Sequence, residues 1–256
     1  MGIIIAVSNQ KGGVGKTTTS VNLAAALADM GKKILLIDID PQGNATSGVG
    51  VDKEELFRTT YQLLLSDCKA KDVIIENVLE NLDLIPATAD LAGAEIELVD
   101  VKKREQILKK KLKGINDGYD YILIDCPPSL NMMTVNALTA ADRVLVPVQT
   151  EYYALEGLVQ LVKTIGLIQK KLNKNLTVDG IIFTMADSRN NLTEQVIQNV
   201  KENVDYYIYE TIIPRNVRLA EAPSHGQPIN LYDSHSVGAS AYRKLAREFV
   251  RLHDVS

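Results

Sequence analysis

Cysteine and histidine are scarce in this sequence. Its 256 residues include two cysteines, Cys68 and Cys126, and three histidines, His225, His235 and His253. None of them stands at metal-ligand spacing, so no zinc site is expected. A disulfide framework would use more cysteines, so both thiols are expected to be reduced, as in a cytosolic protein. Long apolar runs are also missing. None approaches the ~18 residues that suggest a membrane span. No basic region precedes the first apolar stretch, which argues against a secretory signal peptide. Ala6 stands where a myristoylation signal wants Ser or Thr. Excess positive charge is absent too, since the formal net charge is -4. Any nucleic-acid contact must therefore come from a local basic patch. There is no internal repeat, low-complexity tract or linker, so residues 1–256 are expected to form one domain.

What is present is a core and an alternating pattern. Hydrophobic residues make up 46% of the chain, enough to fill an interior. Short apolar runs at Ile3–Ser8, Lys33–Asp38, Leu82–Pro86, Tyr121–Cys126, Arg143–Gln149 and Val178–Met185 read as strands, with a weaker one at Tyr207–Ile213. Several are continuously apolar, as in Ile34-Leu35-Leu36-Ile37, which suits strands covered on both faces. Helical segments are expected at Lys16–Met30, Leu91–Leu112, Asn131–Ala140, Ala154–Leu172, Leu192–Asn203 and Ala239–Leu252. The alternation predicts an α/β fold with a doubly wound, mostly parallel sheet. Asp52–Asn81 has no clear pattern.

The first strand leads into Ser8-Asn9-Gln10-Lys11-Gly12-Gly13-Val14-Gly15-Lys16-Thr17-Thr18, which opens the first helix. Strand, glycine-rich loop, Lys-Thr and helix in that order form a phosphate-binding loop. The glycines let consecutive N–H groups turn toward phosphate oxygens, and the helix N-terminus adds partial positive charge. Lys16 is expected on the β- and γ-phosphates and the Thr17 hydroxyl on Mg²⁺. The usual spacing wants glycine at position 10, where this chain has Gln10 and then a second lysine, Lys11.

Ligands in open α/β sheets lie beyond the carboxyl ends of the strands. Two predicted strands end there in aspartate. Asp38 and Asp40 are two residues apart and share a side if the strand continues. Ile122-Leu123-Ile124-Asp125 is an apolar strand ending in a carboxylate, which places Asp125 near the magnesium, directly or through water.

The segment Lys11-Gly12-Gly13-Val14-Gly15-Lys16-Thr17 resembles the deviant Walker A motif of the ParA/MinD superfamily of P-loop ATPases. Three further segments resemble its ParA branch, close to the chromosomal Soj type. They are Asp40-Pro41-Gln42-Gly43-Asn44-Ala45-Thr46-Ser47-Gly48, Glu151-Tyr152-Tyr153-Ala154-Leu155-Glu156-Gly157, and the run from Ile213 to Ser224. The resemblance implies an ATP-sandwich homodimer in which Lys11 reaches the partner's nucleotide, with ATP or ADP and Mg²⁺ as ligands. It assigns Asp40 to positioning the attacking water and Asp38 to the magnesium surroundings. It places the adenine by Met185, Pro214 and Asn216, beside the loop formed by Gly12, Gly13, Val14, Gly15, Lys16, Thr17 and Thr18. It also implies non-specific double-stranded DNA binding through Arg189 and Arg218, and hydrolysis stimulated by a ParB-like centromere-binding partner. The location implied is cytoplasmic and nucleoid-associated. The chain starts just before its first strand, so a specific operator-binding extension is not expected.

Other readings remain open at this point. The basic run from Lys102 to Lys113 either adds to a DNA surface or is a solvated helix face. The last helix carries Tyr242, Leu245, Ala246 and Phe249 at helical spacing with Arg243, Lys244, Arg247 and Arg251 between them. That stripe either docks on the sheet or lies on an anionic membrane, as a MinD-like membrane-cycling ATPase would require. A ligase or reductase on the same fold, such as a cobyrinate-type synthetase, would need a substrate pocket with further catalytic groups.

Overall fold

A computed structural model of the protein describes residues 2–187 and 189–254. Its strands are β1 (Ile3–Val7), β2 (Ile34–Asp38), β3 (Ile75–Leu79), β4 (Leu82–Ile85), β5 (Tyr121–Asp125), β6 (Arg143–Gln149) and β7 (Thr177–Thr184). The helices are α1 (Lys16–Ala28), α2 (Asn44–Gly48), α3 (Thr60–Leu65), α4 (Leu91–Glu97), α5 (Ile107–Leu112), α6 (Met132–Ala140), α7 (Ala154–Lys171), α8 (Asn191–Asn203), α9 (Val217–Glu221), α10 (Ile229–Tyr232) and α11 (Val237–His253). The described strands form one sheet in the order β3-β4-β2-β5-β1-β6-β7. Every pairing is parallel except the edge pair β3–β4.

Side chains alternate between two cores because strand residues alternate between faces. Ile4, Ala6, Leu35, Ile37, Ile122 and Ile124 face one core, which α3 to α8 cover. Ile5, Val7, Ile34, Leu36, Tyr121 and Leu123 face the other, which is covered chiefly by α1 and α11. Tyr242, Leu245, Ala246 and Phe249 of α11 are buried there. At about 1.5–3 kcal/mol for each large apolar side chain, docking this helix on the sheet outweighs any membrane use of the same stripe. Among the described residues no helix is long and apolar enough to cross a membrane.

Two expected elements come out differently. Leu91–Leu112 is not one helix. It breaks after Glu97, passes through a turn in which Lys103 has a left-handed φ of 57°, and resumes at Ile107. Asn136 of α6 supplies the partners that the break requires. Its Oδ1 accepts the Leu108 N–H at 3.1 Å and its Nδ2 donates to the Arg104 carbonyl at 2.9 Å. Tyr207–Ile213 runs beside β7 without becoming a strand. Tyr209 N–H bonds the Ile181 carbonyl and Ile213 N–H bonds that of Phe183, both at 2.9 Å. Between them the buried Glu248 carboxylate takes the N–H groups of Glu210 at 2.7 Å and Thr211 at 3.0 Å, which interrupts the ladder. Gly180 permits this approach, because a Cβ there would lie 2.8 Å from the Tyr209 ring.

The edge strand β3 lies in the stretch without a pattern. Two left-handed asparagines, Asn77 (φ 52°) and Asn81 (φ 62°), shape a bulged hairpin with β4.

Candidate functional site

The chain leaves β1 toward β2 through α1 on one face. It leaves β5 toward β6 through α6 on the other face. The winding direction reverses beside β1 and β5, where a crevice opens at the carboxyl ends of the strands. The glycine-rich loop follows β1 at this place. Gly13 and Gly15 have φ of 75° and 85°, conformations that L side chains rarely adopt. Gly15 stands at the N-cap of α1 and has no side chain to cap it, and no acid lies in the first turn. The free N–H groups of that turn therefore face outward, which makes an anion site. Val14 is buried, and its carbonyl accepts the Thr184 hydroxyl at 2.8 Å, fastening the loop to β7.

Lys16 is 6% exposed, and its Nζ donates to the Lys11 carbonyl at 2.9 Å. Burial lowers its pKa, opposed by the neighbouring carboxylates Asp125 and Asp40. The ammonium is thus stored inside the loop, next to where phosphate would sit. Thr17 donates its hydroxyl to Asp125 Oδ2 at 2.8 Å. Ser20, one helical turn later, donates to Asp125 Oδ1 at 2.8 Å. Ser20 lies outside the loop motif, and only its spacing three residues after Thr17 on one helix face signals it in the sequence.

Asp38 and Asp125 are direct register partners on β2 and β5, and both are fully buried. Burial raises both pKa values. The Asp38 charge raises Asp125 further, against the bonds from Thr17 and Ser20. Two buried carboxylates side by side, each bonded to a threonine hydroxyl, form a place that a cation relieves. Among the described residues no cluster of three or more His, Cys, Asp or Glu could hold a metal by itself. Magnesium shared with substrate phosphates does not need such a cluster.

The two acids of β2 separate instead of sharing a side. β2 ends at Asp38. Asp38 accepts Thr46 N–H at 2.8 Å, the Thr46 hydroxyl at 2.7 Å and Asp40 N–H at 3.1 Å, so it braces the next turn. Asp40 lines the phosphate cavity and accepts Gln42 N–H at 2.9 Å. That cavity, of about 390 Å³, is lined by Gly12, Gly13, Gly15, Lys16, Thr17, Thr18 and Met185, with Asn44 and Pro128 at its rim. Asp38 is not among its lining residues. Asn44 and Pro128 carry no chemical signal in the sequence that marks them for this cavity.

A second cavity of about 250 Å³ adjoins the first through Gly15, Thr18 and Met185, and is lined by Pro214, Asn216, Leu219 and Tyr242. Its lining is mainly apolar side chains with a few polar groups, as a flat heterocycle requires. Met185 has a left-handed φ of 52°, a strained conformation for a non-glycine residue at the joint of the two cavities. Asn216 caps α9, accepting Leu219 N–H at 3.3 Å. Behind this wall the Thr19 and Tyr242 hydroxyls share a bond of 3.2 Å that ties α11 to α1.

Of the two arginines singled out for DNA, Arg189 projects from the segment after β7 and Arg218 from α9, and the backbone leading to each is zipped to the other. Ala186 N–H bonds the Ile213 carbonyl at 3.1 Å, and Arg215 N–H bonds that of Ala186 at 2.9 Å. Arg189 is 87% exposed and forms a two-point pair with Asp187 at 2.9 and 2.8 Å. These bonds hold the Asp187 carboxyl well below its ordinary range, at about 2. Arg218 pairs with Glu221 at 2.9 Å and Asp233 at 3.5 Å. In the basic run, Lys111 is engaged with the carbonyls of Ser66 and Cys68 at 2.8 and 2.7 Å, a tether for α5. Cys68 and Cys126 are free thiols. Cys126 is fully buried, and burial pushes its pKa far above the ordinary range, which leaves it inert.

Known proteins share this arrangement. Residues 2–178 match a family model described as an AAA domain. The chain is 58% identical over 248 residues to the sporulation initiation inhibitor protein Soj of Bacillus subtilis, covering 97% of this chain and 98% of that protein. It is 51% identical over 251 residues to the chromosome partitioning protein ParA of Myxococcus xanthus, covering 98% and 89%. The solved structure of cobyrinic acid a,c-diamide synthase from Mycobacterium smegmatis with bound ADP and magnesium superposes with a TM-score of 0.87 at 36% identity, covering 99% of this chain and 96% of that one. With a phosphate loop at the switch point of a parallel sheet and such identity over nearly its whole length, the chain belongs to the Soj/ParA family of chromosome-partitioning ATPases.

Proposed function

We propose that the protein is an ATP-hydrolysing partition switch acting as one ATPase domain, whose ATP-bound homodimer holds DNA without sequence preference and lets go after hydrolysis. The observation that carries this reading is the joined pair of cavities. One has the chemistry for phosphates and the other for a base, and they meet at Gly15, Thr18 and Met185. The residues fit ATP and Mg²⁺. The N–H groups of Gly12 to Thr18 and the Lys16 ammonium would receive the phosphates. Thr17, backed by Asp125, would hold the metal, with Asp38 bracing the turn behind it. Magnesium, when bound there, would supply positive charge against the phosphates.

Asp40 is the carboxylate exposed to the phosphate cavity, and it orients the attacking water. The loop and Lys16 stabilise charge on the transferred group. Lys11 from the second protomer adds what an arginine finger adds elsewhere. The face beside the loop suits a second copy, since Leu130, Tyr152 and Tyr153 are exposed apolar or aromatic side chains. Basal turnover is slow and rises with a ParB-like partner, and the dimer resides on the nucleoid. Arg189 and Arg218 contact phosphates only after leaving Asp187, Glu221 and Asp233, so a single protomer binds DNA weakly and two together bind usefully.

A MinD-like membrane cycle is disfavoured because the apolar stripe of α11 is buried. A synthetase reading has a relative in its favour but a chromosome partitioning protein of higher identity against it. Binding to random-sequence duplex DNA is measured without nucleotide, with ADP and with a slowly hydrolysed ATP analogue, with mass read in parallel. A dimer that binds DNA only in the ATP state, with strong salt dependence, is expected. An ATP dimer that ignores DNA would overturn the partition reading while leaving the switch.

A further inference from the structure

The resting position of Lys11 is defined by contacts that nucleotide binding does not need. Lys11 leaves β1, and Glu151 follows β6, the sheet neighbour of β1. Parallel strands deliver both residues to the same edge, where the Lys11 ammonium forms an ion pair with Glu151. The root of the loop is fastened separately. Lys11 N–H bonds Asn9 Oδ1 at 3.1 Å, Asn9 Nδ2 bonds the Pro147 carbonyl at 2.7 Å, and Gln10 Nε2 bonds the Thr164 hydroxyl of α7 at 2.8 Å. The backbone is thus fixed by neutral bonds, while the charged end is held by one carboxylate. Both side chains are partly exposed, 37% for Lys11 and 31% for Glu151, although the Glu151 Oε1 that meets the ammonium is itself covered. Exposure of this degree keeps the pair weak and openable.

We infer that Glu151 is the positioning residue of Lys11, holding its ammonium against its own protomer until a second protomer presents a nucleotide. This rests on the reading that Lys11 acts across the dimer interface. One exposed ion pair opposes release by about 2- to 5-fold. In a two-fold dimer both pairs open, so the opposition to assembly multiplies to about 4- to 25-fold. Polyphosphates on both sides repay the release. Without them, each lysine keeps its own glutamate, and the contact discourages assembly of empty protomers.

The test compares the full chain with Glu151→Gln and Glu151→Asp. Dimer dissociation constants come from sedimentation with a slowly hydrolysed ATP analogue. The affinity of the dilute monomer for a fluorescent ATP analogue is measured alongside. Glu151→Gln is expected to tighten the dimer about 4- to 25-fold, with Glu151→Asp between it and wild type and monomer nucleotide affinity unchanged in both. A role in merely shaping the loop would instead move monomer affinity. A dimer left unchanged or weakened overturns the inference, as does tightening matched by tighter monomer binding. If Glu151→Gln does not fold, Glu151→Asp decides by the same criteria. Lys11→Ala separates the two layers. If it still dimerises with the analogue, the cross-interface reading fails; if it stays monomeric while Glu151→Gln shows no tightening, only the positioning role fails.

Discussion

The substitution Asp125→Asn should stabilise the nucleotide-free protein while disabling it. Asp125 is fully buried beside the equally buried Asp38, and burial with mutual repulsion raises both carboxyls above their ordinary range. A carboxyl with a raised folded pKa contributes stability below the ordinary carboxylate range and loses it as pH climbs through the raised value. With both carboxyls raised, wild type should lose stability through this pair as pH climbs from the ordinary carboxylate range up through the raised values. The introduced amide would stay neutral throughout, still accept one of the two hydroxyls now bonded at 2.8 Å, and relieve Asp38. Removing a buried charge that repels its neighbour Asp38 is worth about 1–3 kcal/mol, by analogy with buried ionic groups replaced by neutral ones. For a chain of this size that corresponds to roughly 2–12 °C in Tm. The assay is thermal unfolding in EDTA without nucleotide, at about pH 5 and about pH 8.5, on either side of the raised values, for both proteins. The difference between variant and wild type should be positive at the alkaline pH and shrink at the acid one, since contributions from other groups cancel. A variant less stable than wild type at the alkaline pH, or with an identical pH slope, would refute the reasoning.

Four further outcomes are expected. Asp40→Ala should bind the ATP analogue and dimerise but hydrolyse about 100-fold more slowly or worse, since it removes the carboxylate facing the phosphate cavity; retained turnover in a phosphate-release assay would move the role elsewhere. Arg189→Glu or Arg218→Glu should abolish DNA binding by the ATP dimer, whereas Glu221→Gln, which frees Arg218 from its 2.9 Å partner, should tighten it a few-fold. With four arginines on phosphates the wild-type salt slope should be roughly -3.6 on log axes, from about -0.9 per contact, so a fourfold rise in salt weakens binding on the order of 150-fold. Glu248→Ala should cost about 2–4 kcal/mol in denaturant unfolding, because it strands two backbone N–H groups and the hydroxyls of Tyr207 and Thr211.

The parallel strands were legible in the sequence because strands covered on both faces are continuously apolar, as in Ile34 to Ile37 and Tyr121 to Ile124. The phosphate loop was legible because its chemistry is local, with glycines, lysine and helix start adjacent in the chain. What escaped depends on distant partners. The break within residues 91–112 is completed by Asn136, and the failure of residues 207–213 to join the sheet comes from Glu248; neither partner is near in sequence. Two acids two apart suggested a shared side, but β2 stops at the first of them, and Thr46 of the following helix claims it. The edge hairpin was hidden because its strand alternates weakly and turns on asparagines where glycine would have given a plainer signal.

The bond between the Thr19 and Tyr242 hydroxyls has a consequence for synthesis. It joins the first helix to one that follows 223 residues later. At ribosomal speeds of about 5–20 residues per second, α11 emerges on the order of 10–45 s after the loop it supports. Until then the outer face of α1 and half of the sheet lack their cover, and the wall of the base cavity lacks Tyr242. A nascent chain therefore carries a complete phosphate-loop sequence well before it has a complete nucleotide site, and cannot take part in the switch while it is still on the ribosome.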